Sequence, residues 1–274
     1  MEPGIYKDIS HKDYHAMKDI ISNSYLGRLD KVPAAAKITQ EETAAFLFGR
    51  AFHCYVLEGI DVYVEQFAIA DKVDLRTKAG KEWWATFKEN NQHKDVITLD
   101  DHETIEKMGN SINAHPFASK LLSEGVPETT LIWQDEETGI MCKARPDHTP
   151  DGNKGVLLDL KSTRNASEYA FRSDCVKFGY AREAGIYTEG FARLTGANYK
   201  DLIFAFIAVE KDPPYRVEVY TLDVDFLDYG VMDFHRLLKI EKECRDNNFW
   251  PNYKNAGAQE LQKPSFLKTW EWGE

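Results

Sequence analysis

No run of this sequence stays apolar for the roughly 20 residues that a membrane helix needs. Met1 leads into Glu-Pro-Gly-Ile-Tyr-Lys and not into a basic and then apolar leader. A cytoplasmic protein without membrane contact is expected. Cysteine is scarce: Cys54, Cys142, Cys175 and Cys244 are widely spaced and make no C-x-x-C pair, so neither a zinc knuckle nor a disulfide framework is indicated. Buried free thiols are the expectation. Internal repeats at a period of roughly 20–50 residues are missing, as are low-complexity stretches, which excludes a solenoid. Positive charge is short as well, with 34 Lys and Arg against 45 Asp and Glu and a net charge of −11. Nucleic-acid phosphates are normally met by a cationic surplus. In this chain an acidic site that recruits divalent cations, or basic residues gathered on one wall of a cleft, would have to take that part.

What is present suffices for one packed core. Hydrophobic residues make up 43%, including 6 Trp, 15 Phe and 13 Tyr, enough for a single domain over residues 1–274. Its first part, residues 1–60, reads as helical. Ser10 precedes a short segment through Met17, and Ser22 can cap a helix toward Leu29. Ala44, Phe48, Ala51, Phe52, Tyr55 and Val56 recur at helical intervals in a segment that also places Gly49 and His53 four apart on one face. Helices are expected over 77–89, 100–114 and 118–123. The period then changes: 129–134, 140–147 and 155–160 are alternating or β-branched runs divided by turn-forming segments, which predicts a three-strand meander. Helices return at 166–174 and 180–194, followed by strands at 202–209 and 215–222 and a long amphipathic helix over 225–247. This order indicates an α/β or α+β layer domain with a mixed central sheet flanked by helices and a core over residues 125–250. In the tail beyond Pro251, Phe266, Trp270 and Trp272 suggest packing.

Chemistry is carried by Asp147, Asp159 and Lys161. Asp159 and Lys161 stand two apart on a predicted strand and so share a face, anchored by Val156-Leu157-Leu158. A hairpin can return Asp147 to the side of Asp159. Two adjacent carboxylates repel unless one is protonated or a cation sits between them, and Mg²⁺ or Mn²⁺ suits such oxygen donors. Lys161 would then position water and offset charge on a phosphate. A lone D-x-K is usually a surface ion pair of small energetic value. Here the triplet belongs to a longer pattern: the strand end Arg145-Pro146-Asp147, a turn, an apolar strand and Asp159-Leu160-Lys161-Ser162.

These residues resemble the PD-(D/E)xK nuclease superfamily, with Pro146-Asp147 and Asp159-x-Lys161 as its two motif halves. Gly49-x-x-x-His53 is similar to the upstream G-x-x-x-H motif of the RecB-like and RecE-like branches. Ile21-Ser22-Asn23-Ser24-Tyr25-Leu26 with Pro33-Ala34-Ala35 resembles the substrate-end helix pair of RecE-type phage exonucleases, and Pro127-Glu128-Thr129 resembles the acidic head of the first core strand. Tyr187 matches the Tyr of Q-x-x-x-Y, a motif associated with substrate phosphate, whereas Glu183 stands where that motif has Gln.

The resemblance implies a restriction-endonuclease-like core in which His53, Asp147, Asp159 and the backbone carbonyl of Leu160 hold Mg²⁺ or Mn²⁺ and Lys161 serves the nucleophilic water. Glu128 is implied either for a second metal or for orienting a ligand. The activity implied is 5′-to-3′ digestion of linear double-stranded DNA, leaving 3′ single strands for recombination. A homo-oligomeric ring, a tetramer, and a phage or prophage single-strand annealing protein are the implied partners. Substrate contacts are expected from Tyr187, Glu183, Arg145, Arg182 and Ser162, although a Ser162-Thr163 pair more often satisfies turn backbone. Trp83-Trp84 reads first as core and second as a stacking surface for a DNA end. A Cas4-like or AddB-like relative with an iron–sulfur cluster is a poorer match, because only Cys244 of the four thiols is C-terminal. A DNA-binding module without catalysis is the remaining alternative, disfavoured by the presence of all three core residues.

Overall fold

Hydroxyl and carboxylate caps set most helix starts in the computed structural model, which describes residues 1–38, 42–152, 155–253, 258 and 260–267. After β1 (Gly4–Tyr6), Ser10 and Ser22 cap α1 (His11–Ala16) and α2 (Asn23–Lys31), and Thr43 caps α3 (Ala44–His53). A π turn at Cys54–Glu58 leads into α4 (Ile60–Gln66) and β2 (Phe67–Ala70). Thr77 and Thr98 cap α5 (Lys78–Asn90) and α6 (Leu99–Ala114), which flank β3 (Asp95–Thr98). Pro116 opens α7 (Pro116–Leu122), which leads to β4 (Val126–Pro127). Then follow β5 (Thr130–Gln134), β6 (Met141–Ala144), β7 (His148–Thr149) and β8 (Val156–Thr163). The last elements are α8 (Glu168–Lys177), α9 (Tyr180–Thr195), β9 (Ile203–Glu210), β10 (Val217–Thr221) and α10 (Val224–Asp246).

The main sheet has strand order β10-β9-β8-β7-β4, with β8 and β9 parallel and the other pairs antiparallel. A parallel pair needs a crossover, and α8 with α9 supplies it. Leu158 and Leu160 face a core layer built from α3, α6 and α7, whereas Leu157 faces the layer of α9, α10 and α2. Burial on both faces explains why the strand opens as a continuous apolar run. The chain is thus a mixed central sheet flanked by helices.

Two expectations need correction. The three-strand meander is instead two hairpins in different sheets: β5 and β6 pair with β1, while β7 turns away to pair with β8. The break falls at Arg145-Pro146-Asp147, where proline cannot continue a ladder. The N-terminal part is helical apart from β1, whose Gly4–Tyr6 adds an edge to β5 and ties the chain start to the core. In the tail, Phe266 is exposed, and Trp270 and Trp272 lie outside the described residues. Trp83 and Trp84 are only partly buried and stack with Phe87 along α5. All four cysteines are buried and free, with Cys54 in one core layer and Cys142 and Cys175 in the other. Among the described residues, no helix is long and apolar enough to cross a membrane.

Helices α9 and α10 meet backbone to backbone. A methyl group on Gly230 would lie 1.9 Å from the Ala181 carbonyl oxygen, and one on Gly185 would lie 2.6 Å from the Gly230 carbonyl carbon. Gly230→Ala is therefore expected to force the helices apart and cost about 1–3 kcal/mol, read as a lower urea midpoint. Gly49→Ala is the control. Its added methyl group meets nothing within 4 Å among the described residues, so it should leave stability unchanged or raise it by up to ~1 kcal/mol through helix propensity.

Candidate functional site

The bend that removes β7 from the β5–β6 hairpin also delivers Asp147 to β8. His148 pairs with Leu158, and continuing that antiparallel register by one residue sets Asp147 against Asp159. Asp147 Oδ2 accepts a hydrogen bond from the Leu160 N–H at 2.5 Å. A strand residue's N–H and C=O project to the same side, so the Leu160 carbonyl also faces this edge and not β9. Asp159 and Lys161 share the face of Leu157, beneath α9. The Lys161 ammonium lies 2.6 Å from Asp159 Oδ2 and 2.7 Å from Glu183 Oε2 of α9. Glu183 Oε1 in turn accepts from the Tyr187 hydroxyl at 3.1 Å. The residue that departs from the Q-x-x-x-Y pattern thus completes a chain from Asp159 through Lys161 to Tyr187.

His53 approaches from the opposite core layer, at the end of α3 where the helix widens into its π turn. Its Nδ1 is 3.2 Å from Asp147 Oδ1. Glu128 joins from the β4–β5 connection, where its φ of 51° is in the left-handed region, a conformation uncommon outside glycine and often seen at functional sites. One ligand atom each from His53, Glu128 and Asp147 lies within 4.8 Å of the others. Asp159 is outside that set, linked to it through the register with Asp147.

Charge crowding perturbs every member. Burial disfavours a charged His53, yet Asp147, Asp159 and Glu128 outweigh burial and hold the imidazole up at about 9. Burial also opposes the Asp147 carboxylate, but His53, Lys161 and the Leu160 N–H overcome it and keep the group below the usual range. Burial raises the Glu128 carboxyl, reinforced by Asp147 and opposed by Arg145. For Asp159 burial prevails, helped by Glu183 and Asp147, and the carboxyl rises well above its ordinary value despite Lys161. Lys161 loses from burial and gains more from Asp159 and Glu183, so it is held firmly protonated.

The donor set fits a divalent ion. Asp147, Asp159, Glu128 and Glu183 bring four negative charges against the two positive charges of Lys161 and Arg145. With His53 neutral, a divalent cation cancels the remaining difference. Asp159 Oδ2 is buried, with the Lys161 ammonium 2.6 Å away. Carboxylate oxygens with one imidazole suit Mn²⁺ or Mg²⁺ coordination, with His53, Glu128, Asp147 and the Leu160 carbonyl edge as holders and Asp159 alongside.

The other expected substrate contacts are placed differently from one another. Arg145 lines the cleft but spends its guanidinium on Glu128 and on the Ile9 carbonyl, the latter at 2.6 Å. Arg182 bonds Asn23 at 3.0 Å and Asp233 at 2.8 Å, which ties α9 to α2 and α10. Ser162 projects to the sheet face opposite Asp159 and Lys161. His11 and His15, which no sequence motif marked, line the same cleft of about 240 Å³ as His53 and Asp147, with their Nε2 atoms 3.1 Å apart. Their i, i+4 spacing on α1 was the available signal.

Residues 23–263 match the family model described as a PDDEXK-like domain of unknown function (DUF3799). No curated protein sequence matches the chain. Among solved structures, the chain is similar to a crystal structure described as a "putative exonuclease" from Eubacterium rectale. The TM-score is 0.60 at 14% identity, covering 94% of this chain and 96% of that one. At such low identity the likeness is one of fold.

A metal ion needs neutral His53, so binding must displace the imidazolium proton. Between pH 7 and about 9, where His53 titrates in the metal-free protein, Mn²⁺ affinity should tighten about tenfold per pH unit. Electron paramagnetic resonance of free Mn²⁺ measures it, and His53→Ala should weaken binding and flatten the slope. The metal-free protein should show the opposite trend. The His53–Asp147 pair contributes fully to stability below the ordinary value of 6.5 and is lost as pH rises through about 9.

Proposed function

The chain belongs to the PDDEXK-like family of unknown function (DUF3799), and from that premise we propose that it is a divalent-metal-dependent exodeoxyribonuclease acting on the ends of linear double-stranded DNA. Digestion runs 5′ to 3′ and leaves 3′ single strands for recombination, with Mg²⁺ or Mn²⁺ as cofactor. The observation that carries the reading is the placement of Lys161 between the buried carboxylate of Asp159 and the partly buried one of Glu183, one residue pair away from the His53–Asp147 contact. The fold shared with the Eubacterium rectale protein supports it.

A bound divalent ion would supply a Lewis-acid contact to the scissile phosphate and an acidified water. The chain's own residues do the rest. Asp147 and His53 orient the ligand set, and Asp147 is itself fixed by the Leu160 N–H. Lys161 is too firmly protonated to serve as a general base, so it acts as a cation that orients water and offsets charge developing on phosphate oxygens. Glu183 and Tyr187 hold that ammonium in place from α9. A closed ring of subunits, a tetramer, would keep the duplex enclosed between cuts, and a single-strand annealing protein would take up the product strand.

End-labelled duplexes test the reading. Nucleotides should be released from linear but not covalently closed circular DNA, with the 5′ label lost first, and Lys161→Ala should slow release about 100- to 1,000-fold. Equal attack on circles would overturn it. Glu183→Ala should lower kcat about 10- to 100-fold with little change in KM, because a misplaced ammonium weakens the transition state more than binding. Glu183→Gln, whose amide oxygen still accepts from Lys161, should retain most of the rate.

A further inference from the structure

A second group of metal-type donors lies on the far portion of α9, outside the site described above. Asp135 begins the turn between β5 and β6, Glu189 is on α9 and His235 is on α10. One donor atom from each lies within 4.8 Å of the others. His235 Nε2 is 2.8 Å from Glu189 Oε2, and His235 Nδ1 is 3.7 Å from Asp135 Oδ1.

Asp135 is the unusual member. It is fully buried, at 0% exposure. Its Oδ2 is saturated by the Thr138 N–H and hydroxyl at 2.8 and 2.7 Å, which fixes the carboxylate plane. Its Oδ1 is turned into the cluster and has no hydrogen-bond partner among the described residues. A buried carboxylate oxygen left unpaired is costly, and Arg193, at 3.8 Å, is too far away to bond it. Arg193 instead bonds Glu189 Oε1 at 2.7 Å, which leaves Glu189 Oε2 aimed at His235.

We propose that Asp135, Glu189 and His235 form a structural site for a divalent transition ion of the Zn²⁺ class, separate from the candidate catalytic centre. One imidazole with two carboxylates suits Zn²⁺, and two of the three donors, Glu189 and His235, line a surface depression of about 430 Å³ from which an ion and a water could enter. Tetrahedral bonds of about 2.1 Å place ligand atoms about 3.4 Å apart, inside the 4.8 Å within which one donor atom from each of the three residues already lies. Charge agrees as well. Asp135, Glu136 and Glu189 set three negative charges against the single positive charge of Arg193, and with His235 neutral a divalent ion cancels the difference. Arg193, bonded to the outer oxygen of Glu189, orients that ligand in the way outer partners support metal ligands elsewhere. The ion would clip the β5–β6 turn to α9 and α10. Glu183 lies six residues before Glu189, about 9 Å along the same helix, so the clip would brace the helix that holds Lys161.

The test separates the two sites by using full-length protein carrying Asp147→Asn, which weakens the candidate catalytic centre. Equilibrium dialysis with Zn²⁺ and elemental analysis should find one equivalent retained, and Zn²⁺ should raise the melting temperature by several degrees. Adding His235→Gln, which keeps a polar group beside Glu189, should abolish both the equivalent and the shift. Asp135→Asn should do the same if it folds, but His235→Gln alone decides the outcome. Retention of the equivalent and the melting shift in the His235→Gln protein would overturn the proposal, as would the absence of any bound Zn²⁺ in the Asp147→Asn protein.

Discussion

Lys161 is partly buried between Asp159 and Glu183, and the arrangement around it follows from the need to keep that ammonium compensated. Stripping water from a charge costs several kcal/mol, and removing one partner of a buried pair costs about 3–5 kcal/mol. The sheet provides Asp159 on the same strand, and α9 must lie close enough to bring Glu183. That helix is in turn held by its backbone contact with α10 at Gly185 and Gly230, and by Arg182, which joins it to Asn23 and Asp233. Packing far from the chemistry is therefore in the service of one cation.

The opposite side of the sheet contributes through His53. Helix α3 packs Phe48, Ala51 and Phe52 into the second core layer, which places its last residue at the sheet edge where Asp147 arrives. The π turn that follows changes the path of the chain just after His53, a local deformation of the sort often found at functional sites. Excess acidity, adverse to a phosphate substrate by charge alone, would become useful at this edge. Carboxylates that could not all be charged together in isolation could hold a divalent ion, and the ion would reverse the local sign.

Much of this was legible in the chain. Asp159 and Lys161 had to share a face because strand side chains alternate, and Ser10 and Ser22 announced helix starts because their hydroxyls satisfy free N–H groups. The apolar opening of β8 signalled a strand anchored in the sheet, and the structure shows it covered on both faces. The strand pairing was less accessible. Alternation in 140–147 gave no sign that the chain changes sheets at Pro146, since each hairpin is locally plausible and only competition among partners decides between them. Trp83 and Trp84 misled for a related reason: large aromatics favour burial, but α5 offers them little beyond one another and Phe87.

What the sequence determined by itself was the local part: which segments are helix or strand, which side chains share a face, and that an acidic pair with a lysine stands at a strand end. These depend on backbone geometry repeated over a few residues. Tertiary structure decided which distant groups converge. It brought His53 and Glu128 to Asp147, set Glu183 against Lys161, placed His11 and His15 in the cleft, and gathered Asp135, Glu189 and His235 from three elements. Such meetings are set by how two helical layers pack on a twisted sheet. That packing is a sum of many weak contacts, and no short stretch of chain encodes it.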